Sequence, residues 1–253
     1  MPHLNLEHKD FKVINHITDG GASKIYKINY NNEICILKIS KDQNYINQVQ
    51  IDNEIEVHQL ISHNHIPTLK GTLVIDERKA IILSFIKGNN LAHLIENKKV
   101  KFNNEETKKI ILNLANIIKD FHRVKPSIIL RDIKPSNIII NEMLEVFIVD
   151  FGISTNGMTK TANKAFGTRG FTAPEAHNNG VYGITSDIYS IGATYQFIET
   201  IENLKSTRII DKCMKHNENE RYQTIDELLI DLEYENKISL FIKKIKSIFF
   251  KRS

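Results

Sequence analysis

The sequence predicts an α+β protein of two lobes, a β-rich N-terminal lobe on a helical C-terminal lobe. Three observations lead there. The first third of the chain consists of short β-branched-rich runs parted by turn signals. From about residue 88 the apolar spacing becomes helical. Polar loops rich in charged and amide side chains fall at the junction of these two patterns. With 253 residues, 41% hydrophobic and 25% charged, the chain can bury a substantial core, and its length suits one large domain or two lobes sharing a cleft.

The strands come first. "FKVINHI", "KIYKINY" and "EICILKIS" are separated by "TDGGAS" and "NN". "YINQVQIDNEIEVHQLI" then places Ile51, Ile55 and His58 at helical spacing, and "LKGTLVI" and "KAIILSF" return to strand character. After the cap-like "NNEE", Ile110, Leu114, Ile117, Ile118 and Phe121 trace one face of a long amphipathic helix. Beyond residue 156 a Gly/Thr/Asn-rich loop precedes two further helices, "DIYSIGATYQFIET" and "IDELLIDLEYE". No internal repeat is present.

Composition excludes several classes. A net charge of +4 and 8% aromatic residues without Trp give no case for nucleic acid. Cys35 and Cys213 lack CxxC spacing and lie in apolar stretches, which predicts buried thiols in a reducing cytosol. "MPHLNLEHKD" is too polar for a signal peptide, and the longest apolar runs fall short of a membrane span.

The chemistry concentrates in four places. In "TDGGASKIY", Gly20 and Gly21 have no side chain in the way, so backbone N–H groups there can approach phosphate oxygens; an ordinary Gly-Gly hairpin is the plainer reading. Lys38 lies in the apolar strand "CILKIS" and needs an anionic partner, for which Glu54 on the following helix is the natural candidate. "LRDIKPSN" wedges Arg131, Asp132, Lys134 and Asn137 between two greasy runs. Eighteen residues beyond Asp132, "VFIVDFGIS" ends an apolar strand at Asp150 before a Phe-Gly turn. Asn137 and Asp150 offer hard oxygen ligands for Mg²⁺, with phosphate oxygens completing the shell. Asp132 is suited to take a proton from an attacking hydroxyl and Lys134 to steady a transferring phosphoryl group.

Taken in order, "GGASKIY", Lys38, Glu54, "LRDIKPSN", "DFG", "GTRGFTAPE", "SDIYSIG" and Arg221 resemble the eukaryotic-like (Hanks-type) Ser/Thr protein kinases, most closely those of bacteria, over about residues 11–233. The resemblance implies a protein kinase fold, with an N-lobe at about 11–84 and a C-lobe at about 88–233. It implies ATP and Mg²⁺ as cofactors and a protein substrate. Lys38 would hold the α- and β-phosphates and pair with Glu54, Asp132 would be the catalytic base, and Asn137 and Asp150 the Mg²⁺ ligands. Ile17, Gly20, Gly21 and Ser23 would form the nucleotide lid. Ile25 and Ile36 would cover the base from above and Ile139 from below. Leu83, Ser84, Phe85 and Ile86 match the gatekeeper and hinge, whose backbone would bond adenine. Thr168 would bond Asp132 and Lys134, Glu175 and Arg221 would form an ion pair, and Asp187 would bind catalytic-loop N–H groups. The "DxKPxN" form points to Ser/Thr acceptors.

The chain departs from that pattern in places. Leu130 replaces a His or Tyr, losing one hydrogen bond, which suggests a tuned kinase. Thr18 and Ser23 stand for two lid glycines, and Ile36 for a small residue over adenine. These departures are the support for the rival reading, a pseudokinase acting as a nucleotide-sensing or scaffolding module. His58 stands where an apolar residue is usual and reads as a neutral core histidine. The chain is too short between "QFIETIENLK" and "STRIIDKCMKH" for the family's usual extra helix. In the tail, 236–253, Ile238, Phe241, Ile242, Ile245, Ile248 and Phe249 share one helical face, and residues 237–252 carry six Lys/Arg and no acid. Two readings stand for it: a helix on an anionic membrane surface at the inner face, or one packed on the C-lobe.

Overall fold

The structure, a computed structural model, describes residues 10–157, 159–160, 167–201, 208–235 and 237, with the backbone alone at 159–160 and 200–201. The chain forms two compact units. One comprises the chain through Gly88 together with Phe147–Ser154; the other comprises Asn89–Val146 and the chain from Thr155 on. The segment carrying Asp150 therefore groups with the N-terminal unit and not with the C-terminal residues that flank it in sequence. Two bonds tie it there: Ile148 N donates to His65 O at 3.0 Å and Asn53 Nδ2 to Gly152 O at 3.1 Å.

The first unit is an antiparallel five-stranded sheet. It is built from β1 (Phe11–Asp19), β2 (Ser23–Tyr30), β3 (Glu33–Ser40), β4 (Leu69–Ile75) and β5 (Arg78–Ser84), in the order β1-β2-β3-β5-β4. Strand alternation sorts the side chains of β3. Cys35, Leu37 and Ile39 enter a core with Tyr26, Ile28 and Ile82, while Ile36 faces Ile51, Ile81 and Leu83 on the other side. Lys38 shares that second face. Helix α1 (Tyr45–Leu60) begins at Asn44, whose side chain accepts from Ile46 N. It packs on β5 and β3 through Ile51.

In the second unit, β6 (Asn89–Asn90) and a π-helical turn at His93–Asn97 precede α2 (Asn104–Arg123). A capping box starts α2: Asn103 accepts from Glu105 N and Glu106 N, and Glu106 accepts from Asn103 N. Ile110, Leu114, Ile117, Ile118 and Phe121 are all buried, as their spacing predicts. Then come β7 (Ile128–Ile129), a 3₁₀ turn at Pro135–Asn137 and β8 (Ile138–Ile140); of β9 (Val146–Ile148), Phe147 and Ile148 already belong to the first unit. β8 pairs with β6, and β10 (Thr155–Asn156) with β7. β11 (Thr159–Lys160) pairs with β12 (Val181–Tyr182), which follows α3 (Pro174–Asn179). Helices α4 (Ile184–Ile201), α5 (Arg208–Cys213) and α6 (225–235) complete the unit. Gly192 lets α4 meet α5, since a Cβ there would lie 2.4 Å from Cys213 Cβ. Both cysteines are free and buried. The α4–α5 connection, residues 202–207, where the sequence predicts no extra helix, and nearly all of the basic tail lie outside the described residues.

Candidate active site

In the first unit a buried lysine joins two carboxylates. Lys38 Nζ bonds Glu54 Oε2 at 2.5 Å and Asp150 Oδ1 at 2.6 Å. β3 delivers the lysine, α1 the glutamate, and the turn after β9 the aspartate. Burial pulls the Lys38 pKa down, but the two carboxylates outweigh it and hold the proton on Nζ more tightly than usual. Glu54 is pushed up to about 7, chiefly by burial, against the pull of Lys38. Its carboxylate also accepts the Phe151 N–H. Asp150 has φ of 73°, a left-handed conformation that costs a non-glycine residue roughly 1–3 kcal/mol and persists only where its surroundings over-determine it.

The rest of the nucleotide-side set also lies on this unit, apart from Ile139. Gly20 and Gly21 bridge β1 and β2, and Gly20 N donates to Ser23 O at 2.8 Å. A Cβ at Gly21 would meet nothing within 4 Å, so the space above that backbone is open. Ile17 is half-exposed beside an irregularity in the β1–β2 register, and Ile25 stands opposite Lys38 on the neighbouring strand. Ser84 is tied at both its N–H and its hydroxyl, which bond Thr68 O and Thr68 N. Ile86 is partly buried two residues on, and Ile139 is the half-buried middle residue of β8.

The second unit carries a separate polar cluster. Lys134 Nζ lies 2.7 Å from Asp132 Oδ2 and donates to Thr168 Oγ1 at 2.9 Å; Thr168 Oγ1 in turn donates to Asp132 Oδ1 at 3.2 Å. Asn137 Nδ2 donates to Asp132 O at 3.0 Å and to Oδ2 at 2.9 Å. With its NH₂ so engaged, the amide turns Oδ1 away from Asp132 as an acceptor. Beneath the loop, fully buried Asp187 accepts from Leu130 N at 2.8 Å and Arg131 N at 2.9 Å. Those bonds hold Arg131 at φ of 68°. Glu175 and Arg221 form a two-pronged ion pair, both distances 2.8 Å. Burial alone would raise the Glu175 pKa, but Arg221 and Ser186 bring it below the usual carboxylate value.

Several groups escape sequence reasoning. His122 Nε2 bonds Asp187 Oδ2 at 2.9 Å, and the Arg131 guanidinium stacks 3.8 Å over the Tyr182 ring. Both partners are remote in sequence.

Each unit offers one hard oxygen donor of the type that suits Mg²⁺, the exposed Asp150 carboxylate in the first and the Asn137 amide oxygen in the second. Among the described residues no group of three or more His, Cys, Asp or Glu could hold a metal ion.

The family model for the protein kinase domain matches residues 11–247. The chain belongs to the protein kinase domain family. This kinase domain, of Hanks type, has similar sequences in eukaryotes. It is 26% identical to a probable serine/threonine-protein kinase of Arabidopsis thaliana, PBL23, over 80% of this chain and 54% of that one. It is 28% identical to Cold-responsive protein kinase 1 of the same plant, covering 79% and 54%. A probable serine/threonine-protein kinase of Dictyostelium discoideum is 26% identical, covering 76% of this chain and 11% of its own length. The chain thus spans about half or less of these relatives. Among the described residues no helix of the kinase domain is long and apolar enough to cross a membrane.

Proposed function

We propose that this chain is a Ser/Thr protein kinase that transfers the γ-phosphoryl group of ATP to protein Ser or Thr hydroxyls and phosphorylates itself. The observation that carries the reading is the Asp132–Lys134–Thr168 triangle. It couples a carboxylate able to accept a hydroxyl proton to an ammonium able to neutralise phosphoryl charge. Asp132 takes the acceptor's proton. Lys134 balances the transferring group, and Thr168 fixes both. Lys38, held by Glu54, contacts the α- and β-phosphates, while Asn137 and Asp150 hold Mg²⁺. Gly20, Gly21 and Ser23 cover the phosphates; Ile17, Ile25, Ile36 and Ile139 enclose the base; Ser84 and Ile86 bond its edge. When bound, Mg-ATP supplies the phosphoryl group and the ion's charge.

The pseudokinase alternative has less behind it. A pure scaffold has no physical need to retain all of Lys38, Asp132, Asn137 and Asp150. The finer placing among bacterial-type members rests on the sequence resemblance alone, and the relatives named above, a plant and an amoeba, lend it no support. A protein in the cytoplasm, with residues 236–253 touching an anionic membrane face, completes the reading. Sedimentation with phosphatidylserine vesicles tests that contact. The decisive experiment is transfer of label from radiolabelled ATP to a generic protein substrate, with Asp132→Asn as control. Label transfer by wild type alone supports the reading, and no transfer by either refutes it.

A further inference from the structure

We infer that Asn53 is a positioning residue for Asp150, acting through the backbone of the Phe151–Gly152 turn. The inference rests on the reading of Asp150 as the carboxylate on the nucleotide and metal side. On α1, residues 50, 53, 54, 57 and 58 share one face by helical spacing. Four of them meet two consecutive residues of the turn, Phe151 and Gly152. Glu54 accepts the Phe151 N–H, and Asn53 Nδ2 donates to Gly152 O at 3.1 Å. His58 meets the Phe151 ring edge-on, 5.4 Å between centroids at 84°. Gln50 presses on Gly152 so closely that a Cβ there would lie 3.2 Å from both Gln50 Cβ and Gln50 O.

These contacts grip the chain immediately after a strained position. Asp150 is held at φ of 73°, and its Oδ1 already accepts from Lys38 Nζ at 2.6 Å and, weakly, from Gly152 N at 3.3 Å. The lysine fixes one oxygen of the carboxylate. It does not fix the backbone that decides where the other oxygen points. That backbone is fixed by α1, and of the α1 contacts only the Asn53 bond constrains the Gly152 carbonyl. Without it, the Phe151–Gly152 and Gly152–Ile153 peptides can rotate toward relaxed conformations and carry the Asp150 carboxylate with them. One helix face thus orders Lys38 through Glu54 and Asp150 through Asn53, so the two side chains are set together.

The test uses the full chain with Asn53→Ala and the isosteric Asn53→Asp, which keeps the shape, removes the donor and faces a carbonyl with an acceptor. Thermal unfolding checks each variant, and if one does not fold the other carries the test. The expected result is a rise in KM for Mg-ATP, and in the Mg²⁺ needed for half-maximal rate, of about fivefold, the scale of one hydrogen bond. KM for the protein substrate should not move. In the nucleotide-free protein, hydrogen exchange at the Phe151 and Gly152 amides should quicken by about the same factor, while amides within β3 and β5 keep wild-type protection. If the wild type transfers phosphate, Asp150→Asn does not, and both Asn53 variants keep wild-type KM and wild-type exchange at 151–152, the inference is overturned. An inactive wild type would instead refute the functional reading, leaving the exchange measurement to decide the role of Asn53.

Discussion

Replacing His58 by Leu should make the first unit more stable and remove a pH-dependent weakness. His58 lies on α1 against the Phe151 ring, and its Nε2 is buried with no hydrogen-bond partner among the described residues. Burial, aided by repulsion from Lys38, lowers its pKa from 6.5 to about 4. The unfolded chain therefore takes up this proton before the folded one does. Stability from the neutral ring is complete above about pH 6.5 and drains away as pH falls toward the folded value. At pH 5 the unfolded imidazole is nearly all charged and the folded one about nine-tenths neutral, a loss of about 2 kcal/mol at 1.36 kcal/mol per unit. Leu does not titrate. The stability difference between wild type and His58→Leu should thus widen by about 2 kcal/mol from pH 7 to pH 5. At pH 7 the variant should already lead by about 1 kcal/mol, because the orphaned nitrogen is gone. Urea unfolding of both proteins at the two pH values measures this directly. Parallel pH profiles would refute the argument and show that the folded protein protonates His58 without penalty.

Three other outcomes follow from the same geometry. Asp132→Asn should abolish phosphoryl transfer and leave ATP binding nearly intact, whereas Asp150→Asn should also lose Mg²⁺-dependent nucleotide binding; calorimetry with and without the metal separates them. Leu130→His should raise kcat by about tenfold or less, as one recovered hydrogen bond allows, and a fall with the fold intact would show that the core is adapted to Leu. In the polar loop between the Phe151–Gly152 turn and Thr168, Thr159 pairs with Tyr182, whose ring carries the Arg131 guanidinium, so phosphate should accumulate at Thr159 or at Thr161, which lies outside the described residues. Mass spectrometry after incubation with Mg-ATP checks this, and a Thr159→Ala/Thr161→Ala variant should be slow but folded.

What the sequence determined by itself was whatever is written in local pattern. The spacing of Ile110, Leu114, Ile117 and Phe121 specifies a buried helix face, and the Asn103–Glu106 box its start. A lysine amid apolar strand residues announces a carboxylate partner, since an unpaired buried charge is too costly. The run "DIKPSN" declares its chemistry because such groups do not survive in a strand connection without a use. Tertiary structure alone decided the rest. That Asp150 belongs with the N-terminal unit depends on bonds to His65 and Asn53, which no periodicity encodes. That Asp187 braces Leu130 and Arg131 and takes His122 as a third partner depends on where α4 begins relative to α2. Asn53 reads as an ordinary polar helix residue until the turn at Phe151–Gly152 is laid against it. Hydrophobic patterning reports which face of an element is covered and is nearly silent on what covers it. Hydrogen bonds between remote residues need both partners placed to within tenths of an ångström, which only the packed chain achieves.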